Sequence, residues 1–194
     1  MESTYGDRVH NDMNQSEEEL LRAVIDTCCK KKGKLLIPSF AVGRAQEIIF
    51  ALNKLWETGM LPKIDVYVDS PLSLNATNIM RLHSECFCDE MKEFMKTDPD
   101  PFGFEKLHYI QSTAESKELN YTKIPCIIIS ASGMMEAGRI KHHIANNIEN
   151  VWQQQVAFAM VFTIRCNITN VEAAVCLYCR KFFTISYKSV IDKH

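Results

Sequence analysis

The chain has 194 residues, 46% hydrophobic and 24% charged, which excludes disorder and fibre and gives one globular domain, or one and a half, with a substantial core. Its 22 basic and 24 acidic side chains leave a formal charge of −2, so no global field recruits nucleic acid or anionic lipid and any polyanion site is local. The longest nearly uninterrupted apolar stretch, Val156 to Ile164, is about half of what a bilayer requires, the opening MESTYGDRVHND lacks a signal-peptide core, and the eight cysteines lack framework spacing; a cytoplasmic, reduced chain without a membrane partner is expected.

Ser16 and Glu19 have capping-box spacing, and Leu20, Leu21, Val24, Ile25 and Cys28 recur at helical period until Lys30 to Gly33, which predicts a helix over 16–31. KLLIPSF (34–40) reads as a buried strand, and Ala45, Ile48, Ile49, Leu52 and Leu55 then mark one face of a helix from Gly43 to Thr58. IDVYVD (64–69) is the next strand, followed by helix over 75–96 with a break near His83 and Ser84. A short strand at LHYI (107–110), a short helix over 113–119, the strongly apolar strand PCIIISAS (125–132) and a helix over 136–149 complete the series. Strands separated by ten to twenty helical residues imply crossover connections, hence an α/β fold with a parallel sheet covered on both faces.

Ligands of open parallel sheets sit beyond the carboxyl ends of the strands, where loops converge and helix amino-termini present unpaired N–H groups. Three corners there carry suitable chemistry: IPSFAVGRAQE with Gly43 and Arg44, VDSPLS with Asp69, Ser70 and Ser73, and SASGMMEAGRIKHH with Ser130, Ser132 and Gly133 after the strand and Arg139, His142 and His143 on the next helix. Each corner alone is more often turn and helix-cap chemistry, with the arginines as surface ion-pair partners. All three at one sheet edge make an anion site, with two arginines and several hydroxyls facing one crevice.

The histidines do not build a metal site. His142 and His143 are adjacent, so on a helix they point about 100° apart. Cys86-x-Cys88 and Cys176-x-x-Cys179 lack the flanking glycine knuckles of a zinc site and read as inert thiols. Neither H-x-H-x-D-H, nor H-E-x-x-H, nor a phosphate-cradling G-x-x-x-x-G-K-[ST] occurs.

ESTYGDR (2–8), GKLLIPSFAVGRAQEIIFAL (33–52), VYVDSPLS (66–73) and IIISASGMMEAGRIKHHI (127–144) fall in the order and at about the spacing of the β-CASP branch of metallo-β-lactamase-fold nucleases, and residues 2–149 resemble its cap domain. The resemblance is to the bacterial and archaeal RNA-cleaving members, which are similar to the endonuclease of the eukaryotic cleavage-and-polyadenylation complex. It implies a Rossmann-like cap over a metallo-β-lactamase domain that holds two zinc ions, with RNA threading the cleft between them. Glu2 matches the acid of the family's first β-CASP motif, which orients a histidine as general acid, but that histidine and the zinc ligands have no match in this chain. Arg44, Ser132, Gly133 and Arg139 would contact RNA phosphates. The implied partners are RNA and the metallo-β-lactamase domain, with a homodimer of the complete enzyme as an option. The chain alone is then an inactive cap. A non-catalytic RNA-binding or scaffolding module, and a fragment of a DNA-processing relative, are the alternatives.

The composition changes near residue 150, which gives a β-CASP-like domain over 1–150 and a tail over 151–194. The 44 residues from Val151 to His194 hold no glycine or proline where about five are expected. The family's continuation, a Pro-containing turn and a Gly-Tyr before a glycine-rich loop, has no match there, although VAFAMVFTI has the pattern of a strand. A shifted reading frame or a misjoined segment accounts for both features. Translation of the coding DNA from codon 150 in the other two frames is expected to show the Gly-Tyr motif and an S-x-H-x-D; their absence from both frames would rule the idea out.

Overall fold

The computed structural model describes residues 13–152 and 156–158, and helix and strand alternate through them. Helix α1, Met13–Val24, runs on as a six-residue π-helical stretch, Ile25–Lys30, into strand β1, Lys34–Pro38. Helix α2 is Arg44–Glu57, β2 is Asp65–Asp69 and α3 is Pro71–Leu82. A 3-10 turn, Ser84–Cys86, and α4, Asp89–Phe94, lead to β3, Leu107–Tyr109. Helix α5, Thr113–Tyr121, β4, Cys126–Ser130, α6, Arg139–Trp152, and β5, Val156–Phe158, follow.

Three helices start elsewhere than the periodicity predicts. Helix α1 begins at Met13, so Ser16 lies within its first turn and is not the cap of a box with Glu19. Helix α3 begins at Pro71 instead of Asn75, because the Ser70 hydroxyl accepts from the Ser73 N–H at 3.2 Å and proline suits the first helical position, where no N–H is needed. Helix α6 begins at Arg139 instead of Glu136. Residues 131–138 close a turn first, with Ser132 N–H donating to Ala137 O and Ile140 N–H to Ala131 O, both at 3.1 Å. Gly138 closes that turn at φ +76°, where a Cβ would lie 2.3 Å from the Ala131 carbonyl oxygen. The capping box is realised at α5, where the Ser112 hydroxyl accepts from the Glu115 N–H at 3.1 Å.

The described strands form one parallel sheet in the order β3-β2-β4-β1-β5, with Pro38 and Asp69 both level with Ser130. The chain moves from β1 through β2 to β3, then returns to β4, which lies between β2 and β1, and ends at β5 beyond β1. Right-handed crossovers therefore put the outward helices on one face and the return helices on the other. Side-chain alternation agrees. Leu35, Ile37, Val66, Val68, Ile127 and Ile129 pack with Leu20 and Val24 of α1 and Ile48, Ile49 and Leu52 of α2, while Leu36, Cys126 and Ile128 pack with Leu119 of α5 and Ile140 of α6.

Strand β4 is buried along its whole length between two neighbours, so truncating it leaves a cavity that cannot collapse. Replacing Ile129, fully buried, with alanine is expected to lower stability by about 2–5 kcal/mol. Urea unfolding reads this as a lower midpoint at unchanged slope; an unchanged midpoint would contradict the placement of β4.

Candidate nucleic-acid interface at the carboxyl edge of the sheet

The loop that leaves β4 turns to the opposite face from the loops that leave its neighbours β1 and β2. Crevices therefore open on both sides of Ser130, at the two switch points where ligands of such sheets bind. The three corners drawn from the sequence meet here. Ser39 N–H extends the ladder by donating to Ser130 O at 3.0 Å, and the Ser130 hydroxyl donates to Asp69 O at 2.9 Å.

Asp69 is the anchor of this edge. Its side chain is 0% exposed and accepts from Ser116 Oγ at 2.6 Å, from His143 Nε2 at 2.7 Å and from Arg139 Nη1 at 2.7 Å. Burial alone would push the carboxyl up, but the donors His143, Ser116 and Arg139 outweigh it and hold the Asp69 pKa below the usual carboxylate range. Arg139 also donates from Nη2 to Gln111 O at 2.8 Å, so its fork lies across the ends of β2 and β3 with its remaining N–H groups unassigned to those two acceptors.

The network continues inward. His143 Nδ1 lies 2.8 Å from Asn120 Oδ1, Asn147 Nδ2 donates to His143 O at 2.8 Å, and Lys34 Nζ donates to Asn147 Oδ1 at 3.4 Å. Lys34 also donates to Leu119 O at 2.8 Å and Asn120 O at 3.0 Å, which places a cation at the carbonyl end of α5; burial lowers the pKa of that amine. His143 is thus buried while the adjacent His142 is exposed, the divergence that neighbouring helical positions require.

The other candidates are distributed around this anchor. Arg44 stands at the start of α2, on the opposite face from α6, and pairs with Glu47. It is among the residues lining a largely apolar groove of about 600 Å³ between α1, α2 and the α3–α4 segment, with Leu20, Phe50 and Met91. The two arginines therefore enter opposite layers instead of one crevice, and each is held by a carboxylate. Ser132 is half-buried in the 131–138 turn, and Gly133 is buried against Phe40. Glu2 lies outside the described residues, as do Cys176 and Cys179. Cys86 and Cys88 are exposed free thiols, whereas burial pushes Cys28 up to about 12 and Cys126 up to about 11, which keeps both inert. Among the described residues no group of three or more His, Cys, Asp or Glu side chains could hold a metal ion, and no helix is long and apolar enough to cross a membrane.

His143 stands at the third corner of the sequence without a role assigned to it there, and Phe40 is not among the candidates drawn from the sequence. His143 is four residues from Arg139, which puts both on one helical face, and that spacing is the available signal for a shared acceptor. Phe40, an aromatic residue in a strand-to-helix loop, carries no such signal.

Because Asp69 titrates lower when folded than when unfolded, its contribution to stability is complete above the unfolded value near about 4 and is lost as pH falls through the lower folded value. Asp69→Asn is expected to cost about 3–5 kcal/mol at neutral pH, since it leaves Arg139 beside a neutral partner. It should also flatten the loss of stability in the acid range. Urea titrations from pH 2 to 7 check both; an unchanged acid limb in the variant would show that Asp69 does not carry it.

The Beta-Casp domain family profile matches residues 45–158. Ribonuclease TTHA0252 of Thermus thermophilus is 32% identical over 149 residues, 77% of this chain and 34% of the relative. Transcription termination factor FttA of Methanocaldococcus jannaschii is 36% identical over 141 residues, 71% of this chain and 22% of the relative. An RNase J-like protein of the same organism is 32% identical over 147 residues, 74% of this chain and 32% of the relative. The chain thus spans about a third or less of the curated relatives it matches. The profile match runs from α2 to β5, and the chain belongs to the β-CASP nuclease family.

Proposed function

We propose that this chain is the RNA-binding cap portion of a zinc-dependent metallo-β-lactamase-fold ribonuclease, inactive by itself and acting in the cytoplasm. The observation that carries the reading is the anchored edge beside β4, where Asp69 fixes Arg139 at a switch point of the sheet and Ser132 lies in the turn that precedes it, in a chain whose relatives include a ribonuclease and an RNase J-like protein. Arginine forks and hydroxyls at such an edge match phosphate oxygens, and they position a strand without reading its sequence.

Arg139 spends two donors on Asp69 and Gln111 and offers the rest, with the Ser132 hydroxyl, to a phosphate. Arg44, at the start of α2 on the other face of the sheet, takes a separate phosphate contact of its own. Gly133 serves by seating Phe40. The zinc pair belongs to the metallo-β-lactamase domain of a complete enzyme, since the described residues here do not fit a metal.

Filter-binding titrations of a short single-stranded RNA at several salt concentrations test the reading. Weak binding is expected, with each phosphate contact contributing about −0.7 to the slope of log K against log salt, and Arg139→Ala should flatten that slope by roughly one contact for unrelated sequences alike. Absence of binding at low salt would overturn the reading. Elemental analysis should find no stoichiometric zinc in the purified chain; one or two ions after dialysis would contradict the assignment of the metals to another domain.

A further inference from the structure

Phe40 is 47% exposed although it sits on one of the most tightly fastened loops of the fold. Its carbonyl accepts from Ala45 N–H at 3.2 Å and Ser39 N–H is bound to β4. The next residue, Ala41, is held through its carbonyl by Gln46 Nε2 at 3.2 Å, which also donates to Thr77 Oγ1 at 2.9 Å. The ring itself lies on Gly133. A Cβ at that glycine would lie 3.2 Å from Phe40 Cδ2 and Cε2 and from the Phe40 backbone nitrogen, so glycine lets the ring rest against the β4–α6 turn where any other residue would push it away by a few tenths of an ångström. One side of the ring is thereby seated on backbone, while nearly half of the residue stays open to solvent.

The surroundings make this exposure specific. Val42, Leu72 and Met134 are exposed as well, and all four residues lie just beyond the carboxyl ends of β1, β2 and β4, which are adjacent strands. Single exposed apolar side chains need no explanation, but several at one edge mark a contact surface. This edge also carries Arg139 and the Ser132 hydroxyl. A planar apolar ring at the same end of the sheet as phosphate-matching donors fits a ligand that is itself flat and apolar on one part and anionic on another. Unpaired nucleotides have that chemistry, and aromatic side chains bind their bases by stacking regardless of sequence.

We infer that Phe40 is a base-stacking platform for single-stranded RNA, held by Gly133 at the edge where Arg139 and Ser132 take the phosphate. This rests on the RNA reading above and adds the residue that takes the base. The platform is preorganised, because the loop hydrogen bonds fix the ring before the ligand arrives and little ordering remains to be done on binding.

The test compares the full chain with Phe40→Leu and Phe40→Trp on a short oligouridylate and on an abasic oligomer of the same length. Phe40→Leu keeps an apolar side chain on Gly133 and should weaken oligouridylate binding roughly 5- to 100-fold, the range of one stacked base. Its salt slope should equal that of the wild type, since stacking releases no counterions. On the abasic oligomer the two proteins should bind equally, and Phe40→Trp should bind oligouridylate with quenched indole fluorescence. Equal affinity of wild type and Phe40→Leu for oligouridylate would overturn the inference and assign the patch to a protein contact. Equal weakening on both oligomers would also overturn it, by showing that the ring only packs. Binding of neither oligomer by the wild type would remove the RNA reading and this inference together, a result distinct from the other two.

Discussion

A carboxylate with no exposed surface survives at the end of β2 because donors from two helices converge on it. Asp69 takes a hydroxyl from α5 and an imidazole and a guanidinium from α6. A buried charge is costly unless it is paired and hydrogen-bonded, and here both carboxylate oxygens accept from donors. The arrangement also fixes geometry. It joins the second layer of helices to the strand ends, so that the amino-terminus of α6 and the turn before it are placed relative to β2 by directional bonds and not by apolar packing alone.

The two faces of the sheet are used differently as a result. The face toward α1 and α2 is an apolar core whose largest fully buried side chains include Leu35, Ile37, Ile49, Leu52, Ile127, Ile129 and Phe102. The face toward α5 and α6 has a smaller apolar cluster and carries the chain from Lys34 through Asn147, Asn120 and His143 to Asp69. That polar chain ends at the crevice beside β4, which ties the rigidity of the fold to the candidate site. Arginine at the rim of such a network is held in one orientation before any phosphate arrives, which is what a positioning contact needs.

The layers, the parallel sheet and the order of helices and strands were legible because α2 has a consistent helical period and β1 and β4 are short continuous apolar runs. Boundaries failed where a cap or a turn outranked periodicity. Ser70 and Pro71 look like loop chemistry and are a helix start, and Gly138 delays α6 because the turn needs its positive φ. The site was legible only in outline. Asp69 stands at a visible corner, but its donors lie 47, 70 and 74 residues further along the chain, and no local pattern pairs them. Arg44 and Arg139 look equivalent in sequence, each near a helix start after a glycine; strand order alone sends their helices to opposite faces.

Photocross-linking of a 4-thiouridine-substituted RNA to the full chain, followed by mapping of the modified peptides, tests the central claim most directly. The anchored carboxyl edge predicts cross-links in residues 39–44 and 131–139, on the loops that flank the end of β4. Cross-links concentrated in the apolar groove of α1 to α4, at residues such as Met80, Phe87 and Met91, or at the opposite edge of the sheet, would contradict it.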